Sequence, residues 1–248
     1  MSFSNLLRKI KREHVHPFMP DLIRMREGML RQMRNTRFEG EKISFMGEEY
    51  VVFPDVFRPF YDTELMVECM QINAGERVRD LGTGSGVLAI QAMKKGACHV
   101  IATDINPNAV KAATINAYLH GLSYAIDTRR EEGICHKTDE YPGVYDVILA
   151  NLPFTNFKVR LDGKNLDLAE RAVYYRQSPY VNLINNAHLS LRNPGRSRIY
   201  LAQANLGDAA EVLELAHSKG YNVELLGEKR PHRKDPRKFY CFEVKKEK

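Results

Sequence analysis

The fold is decided by residues 76–104, which read ERVRDLGTGSGVLAIQAMKKGACHVIATD. The stretch begins as a short apolar strand, continues as a helix that closes at Gly96, and ends as a second strand at Asp104. Glycines at positions 82, 84 and 86 separate the first strand from the helix. A strand, a helix and a strand in this order predict two parallel strands joined by a crossover helix.

The same alternation continues towards the end of the chain. A helix follows that has Asn106 as its cap and Gly121 at its end. Further strands and helices come in the order YDVILAN, YVNLINNAHLSL, SRIYLAQ and GDAAEVLELAHSKG. The last two strands, YNVELLGEK and KFYCFEV, have no helix between them, which predicts an antiparallel pair. The predicted fold class is α/β, a doubly wound, Rossmann-like sheet of seven mostly parallel strands with an antiparallel edge hairpin.

Residues 1–55 differ from this pattern and predict a small, basic, helical and hairpin extension before the main domain at residues 56–248. Two helical pieces are separated near Pro17 and Pro20, and a hairpin follows about Met46-Gly47-Glu48. The second helix either packs on the main domain or uses its arginines to grip a substrate.

The composition is that of an ordinary globular chain. Of 248 residues, 44% are hydrophobic. No stretch approaches the ~18 apolar residues of a membrane-spanning helix, and the charged N-terminal patch makes a poor export signal. The four cysteines lie far apart and give no zinc spacing with the scattered histidines. We therefore expect a cytoplasmic protein with no membrane partner and no metal.

The net charge of +6 is concentrated at the two ends of the chain. Residues 1–40 carry nine Lys and Arg against four Asp and Glu, and residues 228–248 carry the same numbers. Residues 41–227 are mildly acidic. Two separate basic regions indicate an acidic partner, although a solvated surface explains any single run of charge.

The glycine turn predicts a nucleotide-like cofactor. Gly82, Gly84 and Gly86 let the backbone turn tightly and approach a ligand at a helix N-terminus. Asp104 stands about 20 residues further on, where a carboxylate can accept both hydroxyls of a ribose. The G-x-G-x-G spacing differs from the G-x-G-x-x-G of nicotinamide-binding domains. Asp80 would repel a pyrophosphate but attract the cationic amino-acid end of S-adenosylmethionine.

A second unusual stretch is LANLPF, residues 149–154, directly after the apolar strand YDVIL. A turn explains Asn151 and Pro153. An amide close to Phe154 at the end of a parallel strand is typical of a ligand cleft. The motif is therefore either a turn, whose Asn caps the next segment and whose Phe fills the core, or a catalytic loop.

In this order and spacing, the segments DLGTGSG, ATDINPNAV and YDVILANLPF resemble the motifs of class I S-adenosylmethionine-dependent methyltransferases. More narrowly, the chain is similar to the HemK-like branch, which acts on amino or amide nitrogens and has a segment like VFRPFYDTELMVE before the glycine turn. That branch has Asn/Asp-Pro-Pro-Tyr/Phe at the fourth strand, and this chain has Leu152 in place of the first proline. The likeness covers residues 53–155 well and residues 198–244 by architecture only.

The resemblance implies the residues of two sites. For cofactor binding these are Asp80, Gly82, Thr83, Gly84, Gly86, Asp104, Ile105, Glu132, Asn151 and Thr63. For catalysis these are Asn151, Leu152, Pro153 and Phe154. Glu132 can alternatively be interpreted as a solvent-exposed acid, and Thr63 as the cap of a helix.

The implied reaction is methyl transfer to a planar nitrogen. The Asn151 side-chain oxygen and the Leu152 carbonyl would accept hydrogen bonds from both N–H groups and so free the nitrogen lone pair. Phe154 would stack on the planar group and align it. The nitrogen can lose its proton afterwards, so no strong general base is required.

The leading expectation for the acceptor is an exocyclic amine of a base in structured RNA. The loop KRPHRKDPRK, residues 229–238, carries six Lys and Arg and is expected at the carboxyl-end side of the sheet, where it would contact phosphates. A protein glutamine amide or a small amine-bearing metabolite is the alternative acceptor. A non-catalytic, cofactor-binding scaffold is the alternative of another class.

Overall fold

The computed structural model describes residues 1–16, 20–131, 143–156, 166–175, 178–193 and 195–246. Within these ranges the helices are α1 (Phe3–Glu13), α2 (Pro20–Arg34), α3 (Tyr61–Cys69), α4 (Val87–Lys94), α5 (Pro107–Leu119), α6 (Leu168–Arg171), α7 (Pro179–Ser190) and α8 (Ala209–Ser218). The strands are β1 (Glu41–Phe45), β2 (Glu48–Val52), β3 (Arg77–Leu81), β4 (His99–Asp104), β5 (Ile126–Arg130), β6 (Val147–Ala150), β7 (Thr155–Asn156), β8 (Tyr174–Tyr175), β9 (Arg198–Ala204), β10 (Tyr221–Lys229) and β11 (Phe239–Lys246).

Seven strands form one sheet in the order β10-β11-β9-β6-β3-β4-β5. Strand β11 is antiparallel to both of its neighbours, and the strands from β9 to β5 run parallel to one another. The predicted fold class, with its antiparallel hairpin at one edge, is therefore confirmed.

The register of the three central strands brings the sequence motifs together. Leu81 of β3 pairs with Thr103 of β4 and with Ala150 of β6. Because these strands are parallel, their carboxyl ends lie at one edge of the sheet. The glycine turn, Asp104 and Asn151 lie at or just after those ends, so the three features meet there.

Helices cover both faces of the sheet, which is why its central strands are apolar on both sides. On one face α3, α4 and α5 pack on the sheet through side chains such as Met66, Ile90 and Ala117. On the other face α1, α7 and α8 pack through side chains such as Leu183 and Leu213. All four residues of β6 are buried between the two layers.

The local signals in the sequence act as predicted. The side-chain oxygen of Asn106 accepts a hydrogen bond from the backbone N–H of Asn108 (2.9 Å), and Pro107 opens α5. The predicted N-terminal hairpin is also confirmed. Its turn is Met46-Gly47, where both residues have positive φ (51° and 79°).

The N-terminal extension packs along the main domain. Glu13, at the end of α1, accepts a hydrogen bond from the hydroxyl of Tyr240 in β11 (2.6 Å). Met33 of α2 packs against Val173, and Asn116 of α5 bonds the backbone of β2. The domain boundary at residue 55 stays a prediction.

Candidate active site

A cavity of about 970 Å³ lies beyond the carboxyl ends of β3, β4 and β6. The glycine turn, the loop that follows β6, helix α2 and residues 166–175 surround it. The predicted site residues that line the cavity are Thr63, Gly82, Thr83, Gly84, Asp104, Ile105, Asn151, Leu152, Pro153 and Phe154. The two predicted sites are therefore parts of one cavity.

Two of the turn glycines are required by close contacts as well as by backbone shape. Gly82 has φ +65°, and a Cβ there would lie 2.7 Å from Cδ2 of Leu152. Gly86 has φ +82°, and a Cβ there would lie 3.0 Å from the Cα of Ala113 in α5. Gly86 is not among the described residues that line the cavity. It allows α4 and α5 to pack closely behind the turn.

Asp104 is held at the cavity wall by two backbone N–H groups. Its Oδ2 accepts from Gly84 (3.0 Å), and its Oδ1 accepts from Asn106 (2.9 Å). Burial raises the pKa of this carboxyl, and these hydrogen bonds oppose the rise because they stabilise the charged form. Each oxygen retains a further lone pair for a ligand hydroxyl.

Asp80 differs from the expectation of direct cofactor contact. Its side chain is fully buried and is not among the described residues that line the cavity. It lies below the turn, where Thr83 Oγ1 donates to its Oδ2 (2.6 Å) and the backbone of Ala89 in α4 also bonds it. Burial raises the pKa of Asp80 to about 7. Its Oδ1 has no hydrogen-bond partner within the part of the chain that the structure describes.

Asn151 is oriented by two residues of α3. Its side-chain nitrogen donates to Thr63 Oγ1 (3.1 Å), and its side chain lies close enough to the carboxyl of Asp62 to lower the pKa of that group. Thr63 Oγ1 additionally accepts from the backbone N–H of Phe60 (3.4 Å), so the helix-cap alternative for Thr63 is also present. Because the amide nitrogen is engaged in this way, the side-chain oxygen is the atom that remains for a ligand.

Asp62 is a site residue that the sequence reasoning missed. It is only 3% exposed, it lines the cavity, and burial raises the pKa of its carboxyl. The hydrogen bond from Asn151 partly opposes that rise. The sequence did give one indication of its role, because Asp62 directly precedes Thr63, which was predicted as a site residue.

The Leu152 carbonyl also differs from expectation. It accepts a hydrogen bond from the hydroxyl of Tyr180 (2.7 Å), and the Leu152 N–H donates to the same hydroxyl (2.9 Å). The carbonyl therefore already has a partner inside the protein. Only its second lone pair remains for an acceptor.

An aromatic and cationic wall adjoins Asn151. The ring centroid of Phe239 lies 6.2 Å from that of Phe154 and 6.0 Å from that of Phe60. The guanidinium carbon of Arg237 lies 5.0 Å from the Phe60 ring centroid. Arg237 is held by Asp235, through Nε to Oδ1 (3.0 Å) and Nη2 to Oδ2 (2.8 Å). All of these except Asp235 line the cavity. Phe154 was predicted as a catalytic residue, and Arg237 belongs to the basic loop that was predicted on this side of the sheet.

Helix α2 completes the cavity from the N-terminal extension. Leu22, Met25, Arg26 and Met29 line it, and the guanidinium carbon of Arg26 lies 5.8 Å from the ring centroid of Tyr174. Glu132 lies outside the described residues. The preceding acid, Glu131, lines the cavity and pairs with Arg79 (2.7 Å).

The described ranges contain no group of three or more His, Cys, Asp and Glu side chains placed to hold a metal ion. They also contain no helix with both the length and the apolar character needed to cross a membrane.

Comparison with known proteins places the central segment among methyltransferases. The family described as ribosomal protein L11 methyltransferase (PrmA) matches residues 63–155. A ribosomal protein L11 methyltransferase from Geobacter sulfurreducens is 42% identical over 91 residues, which are 36% of this chain and 28% of the relative. A release factor glutamine methyltransferase from Bordetella pertussis is 34% identical over 145 residues, 52% of this chain and 50% of the relative. The chain thus spans half or less of the length of these relatives.

Solved structures extend the likeness of fold over most of the chain. A 16S rRNA N2 G1207 methyltransferase from T. thermophilus, in complex with AdoMet and guanosine, matches with a TM-score of 0.57 at 20% identity. The match covers 84% of this chain and 50% of that one. The chain therefore has the fold of these methyltransferases, and its residues 63–155 are similar in sequence to the ribosomal protein L11 methyltransferase family.

Proposed function

We propose that this protein is an S-adenosylmethionine-dependent N-methyltransferase that acts on a planar nitrogen. The observation that carries the proposal is the orientation of Asn151. Its amide nitrogen donates to Thr63, which leaves its oxygen for a ligand in the same cavity as the glycine turn and Asp104.

The residues present fit S-adenosylmethionine. Asp104 would offer one lone pair on each oxygen to the ribose hydroxyls, and Ile105 lines the cavity beside it. The backbone from Gly82 to Gly84 borders the space for the amino-acid end. A Cβ on Gly84 would have no neighbour closer than 4.0 Å, so this part of the turn has room for a ligand. When bound, the cofactor supplies a methyl group on a sulfonium.

Asn151 and the aromatic wall would position the acceptor nitrogen. A hydrogen bond from an acceptor N–H to Asn151 Oδ1 localises the nitrogen lone pair, which in a free amide or aryl amine is delocalised. Phe154 and Phe239 offer flat apolar surface to the planar group. The contribution of these residues is alignment, and the proton leaves the nitrogen after transfer.

The charges of the basic loop bear on the acceptor class. Lys229 pairs with Glu64 and Glu68, and Lys238 pairs with Glu13 and Glu228. Arg237 pairs with Asp235. Half of the six basic side chains are therefore neutralised, which weakens the argument for phosphate contacts.

We therefore propose a carboxamide side chain of a protein as the preferred methyl acceptor. The similarity to a release factor glutamine methyltransferase over 145 residues supports this choice. The second acceptor is an exocyclic amine of an RNA base. It is favoured by Arg233 and Lys234, which are exposed and have no acid partner within the described ranges.

The test is transfer of label from S-adenosylmethionine carrying a tritiated methyl group to a total-protein pool and to a total-RNA pool. We expect label in the protein pool and loss of at least 100-fold of the rate in Asn151→Ala, which should still bind the cofactor in calorimetry. Label in the RNA pool would select the second acceptor. Tight cofactor binding without transfer to either pool would contradict both and favour a small-molecule acceptor or a scaffold.

A further inference from the structure

We infer that Tyr180 is a positioning residue, which holds the loop Asn151–Phe154 in the shape that the reaction needs. This inference rests on the proposed function. Tyr180 is fully buried in α7, and its hydroxyl contacts three backbone atoms. It accepts from the Leu152 N–H (2.9 Å) and lies 2.7 Å from both the Leu152 and the Ala202 carbonyl oxygens.

The loop needs this contact because it leaves the sheet. Strand β6 ends at Ala150, where its ladder with β3 and β9 also ends. Leu152 is only 8% exposed, so water cannot readily satisfy its backbone groups. A buried N–H or C=O without a partner is costly. The Tyr180 hydroxyl accepts from the Leu152 N–H and is placed to donate to the Leu152 carbonyl, and it thereby fixes the peptide next to Asn151.

Tyr180 is itself held rigidly. Its ring belongs to the core on the α7 and α8 side of the sheet, together with Leu183, Ile184 and Leu201. Pro179 opens the helix immediately before it. The hydroxyl therefore cannot follow a displaced loop, and Leu152 is fixed relative to the sheet.

The hydroxyl has one proton and faces two carbonyl oxygens at the same distance. When it donates to Leu152, that carbonyl is engaged. When it donates to Ala202, the Leu152 carbonyl is released to accept the second N–H of a planar acceptor. The Leu152 N–H remains bonded in both arrangements, so the loop keeps its shape while the carbonyl changes partner.

The chain contains a matched control in Tyr200. This side chain is also fully buried, and its hydroxyl likewise contacts both backbone groups of one residue, Gln71 (3.2 Å to N and 3.3 Å to O). It also accepts a hydrogen bond from Nε of Arg198 (3.0 Å). Neither Tyr200 nor Gln71 is among the described residues that line the active-site cavity. Removing the Tyr200 hydroxyl deletes buried hydrogen bonds at least as strong as those of the Tyr180 hydroxyl, because one of them comes from a guanidinium, but only Tyr180 lies behind the acceptor loop.

The experiment compares Tyr180→Phe with Tyr200→Phe. The readouts are the urea midpoint, the affinity for S-adenosylmethionine, the maximal rate of tritiated methyl transfer into the pool that accepts label, and amide hydrogen exchange of the peptide containing Leu152. We expect unchanged cofactor affinity in both variants and a loss of stability that is at least as large in Tyr200→Phe as in Tyr180→Phe. Tyr180→Phe alone should lower the maximal rate by about 10- to 100-fold and accelerate exchange at Leu152.

A maximal rate of Tyr180→Phe within twofold of that of Tyr200→Phe would overturn the inference, as would unchanged exchange at Leu152. The exchange measurement needs no acceptor. If the wild-type protein transferred no label to either pool, both proposed acceptor classes would fail, and exchange at Leu152 would still decide whether Tyr180 holds the loop.

Discussion

The side-chain nitrogen of Asn151 lies 3.1 Å from Thr63 Oγ1, which ties the end of β6 to the first turn of α3. These residues are 88 positions apart in the sequence. The contact determines whether the oxygen or the nitrogen of the Asn151 amide is directed into the cavity. In the proposed reaction it keeps the oxygen, not the nitrogen, directed at the acceptor.

The first prediction concerns this contact. Thr63→Val removes the hydroxyl and leaves only the Asp62 contact to orient Asn151, so the maximal rate of methyl transfer should fall about tenfold, the cost of roughly one hydrogen bond. The free energy of unfolding should fall by about 1 kcal/mol, because Thr63 Oγ1 also accepts from the backbone N–H of Phe60 and so caps the N-terminus of α3. Steady-state kinetics and urea unfolding measure the two effects. Thr63→Ser keeps the hydroxyl and should restore the rate. Equal rates in the Val and Ser variants would show that Thr63 does not orient Asn151.

The second prediction is a pH dependence of stability from Asp80. Burial raises its pKa from 3.8 to about 7 in the folded protein. The folded state therefore binds the proton more tightly than the unfolded state, and the Asp80 contribution to the free energy of unfolding falls as the pH rises from about 4 through about 7. Asp80→Asn removes this contribution. The variant should gain stability relative to the wild type between pH 5 and pH 8.

Urea unfolding of the ligand-free protein at pH 5 and pH 8 measures this difference. Thr83→Val supplies the control, because the Thr83 hydroxyl stabilises the charged Asp80 carboxylate. Without that hydroxyl, the free energy of unfolding should fall more steeply as the pH rises. A stability difference between Asp80→Asn and wild type that is the same at both pH values would contradict the assigned pKa.

The third prediction concerns the contact between the glycine turn and the acceptor loop. Gly82→Ala places a Cβ 2.7 Å from Leu152 at a φ of +65°, and it should destabilise the protein by about 1–3 kcal/mol. Gly121 has a similar φ of +70° but nothing within 4 Å of its Cβ position. Gly121→Ala should therefore cost only the backbone strain, on the order of 1 kcal/mol.

A double-variant cycle tests the same contact. Gly82→Ala with Leu152→Ala should be less destabilised than the sum of the single variants by about 1 kcal/mol or more in urea unfolding. Gly121→Ala should be additive with Leu152→Ala. If the losses of unfolding free energy were additive in both pairs, the glycine turn and the acceptor loop would not be in steric contact.

The fourth prediction separates the cavity-lining arginine from the exposed basic residues of the same loop. Arg237→Ala removes the guanidinium from Phe60 and should raise the acceptor concentration for half-maximal rate by about tenfold for either acceptor class. Arg237→Lys keeps the charge but loses the bidentate pair with Asp235, and should recover part of the loss.

Neutralising Arg233 and Lys234 should leave a protein acceptor unaffected in the same kinetic assay, run at 50 and 200 mM salt. It should weaken an RNA acceptor and flatten its salt dependence. A strong effect of this double neutralisation on methylation of protein would show that the exposed part of the loop belongs to the protein-acceptor site.

The sequence by itself determined the fold and the place of the site along the chain. Short apolar strands, helix caps such as Asn106 and the glycine turn are local signals, because backbone preference and hydrogen bonding act between residues a few positions apart. They predicted six of the seven strands of the main sheet in their correct order, and they did not locate the edge strand β5. They also placed Asp104 and Asn151 at the carboxyl ends of parallel strands, where a cleft forms in any sheet of this type.

Only the tertiary structure decided which side chains meet at that edge. Asp62, Tyr180, Phe239 and Arg237 reach the cavity or its loop from elements far apart in the chain, and their positions depend on strand register and helix packing. The same holds for charge. The basic loop looked strongly positive in sequence, but its partners Glu13, Glu64 and Glu68 come from α1 and α3. Asp80, adjacent to the turn in sequence, is buried beneath it because its side chain packs towards α4.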